Sequence, residues 1–162
     1  MPRPAGTMVV AGVNMLWRTQ GTNSTMQTDS RIMEIARARH PDVQAVYRFG
    51  SAGTDYERPD SDVDIGLLLP PVTAKRLSPS ELMETQTELA VCLGKSVDLL
   101  NLRRVSTVMQ KEVVMADRRI HTADAYAADE FEMHVLSLYQ KLNEERREII
   151  EQGLRSGRFY DI

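Results

Sequence analysis

Asp62 and Asp64 stand two residues apart in the word RPDSDVDIGLLL, and the pair Gly50-Ser51 precedes them by ten residues. Carboxylates at alternate positions of a strand project from one face. Oxygen donors placed in that way suit Mg²⁺, which binds through one or two carboxylates together with substrate phosphates. A Gly-Ser turn can aim N–H groups and a hydroxyl at phosphate oxygens. A third carboxylate, Asp98, interrupts the apolar residues Val97, Leu99 and Leu100. Burying it unpaired would be costly, so it must reach solvent, a partner or a metal. The combination predicts metal-assisted phosphoryl-type chemistry. Asp62 and Asp64 would hold the metal, and Asp98 would add an oxygen or accept a proton from an attacking hydroxyl. Gly50 and Ser51 would hold the outer phosphates of a nucleotide. Two metals about 3.5–4 Å apart would neutralise the incoming and leaving oxygens. Positioning and charge neutralisation then suffice, with no covalent intermediate. Asp-x-Asp alone is common turn chemistry, and PDSD is a good turn. Its weight comes from coincidence with the Gly-Ser turn and a third acidic strand.

The elements that must carry these groups are legible in outline. Residues 30–40 place Ile32, Ile35 and Ala36 at helical spacing, with Ser30 as the expected cap and Pro41 as the stop. Residues 43–49 alternate Ala45, Tyr47 and Phe49 in a strand that Gly50 ends. In 62–69 parity separates an apolar face of Val63, Ile65, Leu67 and Leu69 from Asp62, Asp64 and Gly66. Pro70-Pro71 closes that strand. Ser78, Pro79 and Glu81 then form a capping-box start for a helix with Leu82, Leu89, Ala90 and Leu93 on one stripe and Gly94 at its end. Cys92 is expected there as a small packing residue. A third strand covers 97–100, a helix 106–116, and a turn at 117–119 leads to an extended piece near Ile120. A long helix over about 128–152 carries Phe131, Val135, Leu138, Leu142 and Ile149, with a solvated charged run at 144–148.

The 162 residues suit one domain with a real core. Residues 1–25 are rich in Gly, Thr, Asn and Pro and show no sustained apolar period, so they read as a mobile tail before a single domain over 26–162. With 20 basic and 23 acidic side chains the net charge is −3, mixed evenly along the chain, which argues against a stable nucleic-acid surface. The single cysteine excludes an internal disulfide and fits a reducing, cytoplasmic setting. No apolar run approaches the roughly 20 residues of a membrane helix. His40, His121 and His134 form no ligand motif and read as surface or helix-end residues. Tyr126, Tyr139 and Tyr160 suit modification targets or interface anchors, and core and surface packing explain them as well.

The spacing Gly50-Ser51, ten residues, Asp62-Val63-Asp64, then Asp98, resembles the DNA polymerase β nucleotidyltransferase superfamily. The words RFGS, RPDSDVDIGLLL and VDLL in a short chain resemble its minimal nucleotidyltransferases. With the long C-terminal helix containing Tyr139, the match is most similar to the antitoxins encoded beside HEPN-domain ribonuclease toxins. It covers about residues 30–150, and the segment 50–98 carries its specificity. The resemblance implies an α+β (α/β) nucleotidyltransferase fold of the polymerase β palm type, a small mixed sheet flanked by helices. It implies Mg²⁺ and ATP as cofactors, and transfer of AMP to a tyrosine of a partner HEPN ribonuclease toxin. Asp62, Asp64 and Asp98 correspond to the catalytic metal ligands, and Gly50 and Ser51 to the nucleotide-binding turn. Many relatives carry a basic residue shortly after Gly-Ser where this chain has Ala52-Gly53, and Arg58 is the nearby substitute. Relatives often have Gly in the 117–119 turn, where Asp117 tolerates a left-handed backbone. Neutralisation by binding alone and transfer to a small molecule such as an aminoglycoside are the alternative functions.

Overall fold

The computed structural model describes residues 10–51, 58 and 60–157, with side chains from residue 24 onward. Four strands form one mixed sheet: β1 (Ala45–Phe49), β2 (Val63–Leu68), β3 (Val97–Asn101) and β4 (Arg119–Thr122), in the order β3-β2-β1-β4. β1 pairs antiparallel with both β2 and β4, and β2 pairs parallel with β3. A parallel neighbour requires a crossover. Here the chain makes it through α2 (Pro71–Arg76) and α3 (Pro79–Leu93). α1 (Val10–Arg39) precedes the sheet; α4 (Thr107–Met115) and α5 (Ala125–Ser156) follow, the first after a 3₁₀ turn at Leu102–Arg104.

The sheet is covered on both faces. Val46, Val63, Ile65 and Leu67 pack against Ile32 and Ala36 of α1 and Leu89 of α3. Ala45, Tyr47, Phe49 and Leu68 pack against Val113 of α4 and Ala128, Phe131 and Val135 of α5. All five residues of β1 are therefore buried, including Arg48. Alternation along a central strand covered on both sides separates two cores rather than core from solvent. The non-apolar face expected for β2 is likewise part core, since Gly66 lies so close to Leu102 that an added Cβ would stand 2.7 Å from its Cδ2.

Local signals hold where they have a backbone cause. Ser78 accepts from the Glu81 N–H while the Glu81 carboxylate accepts from the Ser78 N–H, completing the capping box, and Gly94 ends α3 with φ 63°. Ser106 caps α4 and Asp124 caps α5. Asp117 adopts φ 52° in the turn before β4. Four expectations are corrected. α1 begins at Val10, where the sequence placed the start of a helix at Ser30, and leaves Ser30 inside the helix with its hydroxyl donating to the Met26 carbonyl. Periodicity records burial of a helix face, so a stretch without it gives no warning of a helix. Cys92 is exposed on α3, because it lies off the stripe centred on Leu89. His40 is at a helix end but buried, its Nε2 3.1 Å from the Thr85 hydroxyl. On α5 the apolar stripe is buried only at Phe131 and Val135; Leu138 and Ile149 are exposed, because the helix outruns the sheet it covers. Residues 1–9, the Ala52-Gly53 step and Tyr160 lie outside the described residues.

Candidate active site

β1 ends where β2 begins, and this end of the sheet gathers the acidic residues. In the antiparallel register Phe49 lies opposite Asp64, and in the parallel register Asp98 lies opposite Asp64 on the other side. Registered residues of adjacent strands point to the same face. Asp64 and Asp98 therefore share the face of the sheet that Phe49 occupies, and Asp62 stands exposed just before β2. Asp64 is half-buried, and Asp98 is exposed although its strand neighbours Val97 and Leu99 are in the core.

Gly50 follows with φ 70°, a backbone conformation that side chains disfavour. The carboxylate of Asp64 lies directly against it: a Cβ on Gly50 would stand 2.0 Å from Asp64 Oδ2 and 2.9 Å from its Cγ. The glycine is needed twice, for the turn and for the approach of the acid. Ser51, next in the turn, is half-buried. Arg58 is exposed and belongs to a separate local turn, its N–H donating to the Ser61 hydroxyl at 2.9 Å while Ser61 N–H donates to the Arg58 carbonyl at 3.0 Å.

The electrostatics follow from this crowding. Burial, then the charge of Asp98, then that of Asp62 raise the Asp64 carboxyl above its ordinary value, while the guanidinium of Arg48 opposes them. Desolvation and like charges both disfavour the ionised form. A cation placed among these oxygens would reverse both effects. Among the described residues no three His, Cys, Asp or Glu side chains are drawn around a common point, so the acids are neighbours by register without closing on an ion. His121 is half-exposed on β4, His134 is exposed on α5, and neither belongs to this end of the sheet.

Arg48 was not among the candidate residues read from the sequence. It is 3% exposed and ion-paired to Asp29 of α1 at 2.8 Å, directly behind the Gly50 turn. An arginine inside an otherwise apolar strand was the available signal.

The fold and this site have counterparts among known proteins. Residues 31–126 match the family described as polymerase beta, nucleotidyltransferase. The chain is 32% identical over 124 residues to the protein adenylyltransferase MntA of Shewanella oneidensis, an alignment covering 76% of this chain and 85% of that protein. It resembles the structure of a toxin-antitoxin with AMP-PNP, with a TM-score of 0.66 at 29% identity over 78% of this chain and 98% of that one. It also resembles a chain of the complex of tri-AMPylated Shewanella oneidensis HEPN toxin with MNT antitoxin, with a TM-score of 0.64 at 30% identity over 80% and 98% of the two chains. The four-stranded mixed sheet, the acidic end of β2 and the family match over more than half of the chain together make this protein a member of the polymerase beta nucleotidyltransferase family.

Proposed function

We propose that this protein is an antitoxin that transfers AMP from ATP to a tyrosine of a partner HEPN ribonuclease toxin. The observation that carries the reading is the likeness, at about 30% identity over 85–98% of each relative, to an adenylyltransferase and to chains of toxin-antitoxin complexes. The register that sets Asp98 beside Asp64 supports the chemistry. Ionised, the three carboxylates offer only acceptor oxygens, and the mutual repulsion that Asp98 and Asp62 exert on Asp64 is of the kind a cation relieves, so the donor set fits Mg²⁺. Asp62, Asp64 and Asp98 would hold it. Bound there, Mg²⁺ would supply charge neutralisation for the phosphates.

Gly50 and Ser51 orient the β- and γ-phosphates, and Arg58 is the cation among the described residues of the loop that joins β1 to β2. The tyrosine oxygen forms a bond to the α-phosphorus as the bond from that phosphorus to its bridging oxygen breaks. Pyrophosphate leaves with the electron pair, and the tyrosine proton passes to an Asp98 carboxylate oxygen. The protein's contribution is alignment and electrostatics, as in other phosphoryl transfers.

Incubation of the protein with labelled ATP, Mg²⁺ and the product of the neighbouring gene tests the reading: label should appear on that product and vanish with Asp64→Ala. A second reading, neutralisation by occlusion, is favoured by the distal half of α5, where Ile149, Ile150 and Leu154 are exposed as a surface for a protein partner. Full protection of cells by Asp64→Ala would select it.

A further inference from the structure

The strand that delivers the phosphate turn is held from behind by charge. Arg48, the penultimate residue of β1, donates from one guanidinium nitrogen to Asp29 Oδ1 at 2.8 Å. The other carboxylate oxygen of Asp29 stands 3.5 Å from a guanidinium nitrogen of Arg118. The Arg48 N–H in turn donates to the Arg118 carbonyl at 2.9 Å. One aspartate of α1 thus gathers the end of β1 and the turn entering β4. Arg48 is 3% exposed and Asp29 20% exposed.

Stability is a weak reason for this arrangement. Desolvating two charges offsets most of their attraction, and apolar pairs of similar volume serve as well or better. The buried part of the α1 interface with the sheet already works that way, with Ile32 and Ala36 in the core that includes Val46. A charged hydrogen bond adds a fixed direction, which apolar contact does not provide. The direction is fixed two residues before Gly50, whose φ of 70° and contact with Asp64 set the turn.

We propose that the Asp29 to Arg48 ion pair, assisted by Arg118, is a positioning device that holds the Gly50-Ser51 turn in its phosphate-binding orientation. The proposal rests on the nucleotidyltransferase reading of that turn. The pair acts through the backbone of β1, and because the Arg48 charge also opposes the rise of the Asp64 carboxyl, Arg48→Lys, which keeps that charge, isolates the directional part.

The test is calorimetric binding of AMP-PNP with Mg²⁺ to the full chain, alongside thermal melts, which separates nucleotide positioning from acceptor recognition. The double variant Asp29→Leu with Arg48→Met should melt close to wild type. It should bind AMP-PNP about 10-fold more weakly, the low end of what loss of a partner that orients a metal ligand costs. Asp29→Glu should retain most of the affinity. Arg48→Lys, which keeps the charge but loses the planar fork, should stay folded and bind more weakly. Wild-type affinity in the folded double variant, or in folded Arg48→Lys should the double variant not fold, would overturn the proposal. A wild-type protein that binds no AMP-PNP would instead remove the nucleotide site, and this inference with it.

Discussion

Replacing Gly50 with alanine tests the link between turn and acid directly. The residue has φ 70°, and a left-handed conformation costs an alanine about 1–2 kcal/mol. For a domain of this size each kcal/mol lowers Tm by about 2–4 °C, so the backbone contribution alone is about 2–8 °C. The new methyl would stand 2.0 Å from Asp64 Oδ2, far inside contact distance, so the carboxylate or the turn must move by more than about 1 Å. A misplacement of about 1 Å in a reacting constellation costs about 100-fold in rate, equivalent to about 2.7 kcal/mol of barrier. Gly50→Ala should therefore remain folded at 25 °C, melt lower, and lose about two orders of magnitude in kcat/KM for AMP transfer, measured at matched folded fraction. Wild-type kcat/KM within threefold in Gly50→Ala would refute the claim that the glycine exists to admit Asp64. An unchanged Tm would refute the claim of backbone strain.

Asp64→Asn should abolish transfer yet raise Tm without added divalent ion, because the folded Asp64 carboxyl lies above its ordinary value. Such a group stabilises the fold when protonated and loses that contribution as pH rises, so the Tm gap between variant and wild type should widen from about pH 4 upward. Mg²⁺ should raise the Tm of the wild type and leave that of Asp64→Asn nearly unchanged. Gly66→Ala should cost about 1–3 kcal/mol through the 2.7 Å approach to Leu102, visible as a lower denaturant midpoint, and Leu102→Ala in the same chain should relieve part of that strain. Burial lowers the His40 pKa from its ordinary 6.5, so its contribution is present above that value and lost as pH falls below it; His40→Gln should flatten the acid side of the Tm profile. An unchanged profile would count against the buried neutral imidazole.

Much of this protein is legible wherever the cause is local. The α3 capping box needs only Ser78 and Glu81, and the left-handed backbone at Gly50, Gly94 and Asp117 needs only residues that tolerate it. Parity in 62–69 follows from strand geometry, so Asp64 falls opposite Ile65 and Val63 without knowledge of the fold. The tail-like composition before residue 26 concealed ten and more residues of helix, because composition and periodicity report burial and not backbone conformation.

Other features are non-local. The parallel pairing of β2 with β3 sets Asp98 beside Asp64, and no property of the words around Asp98 specifies that register. The same holds for Arg48, a lone charge in an apolar strand until α1 brings Asp29 to it from nineteen residues away. The sequence by itself determined which groups are available and on which face of its strand each lies, since both are set by side-chain chemistry and a two-residue period. Only the tertiary structure decided which strands meet, how closely Asp64 presses on Gly50, and what stands behind the turn, because those are outcomes of packing between segments far apart in the chain.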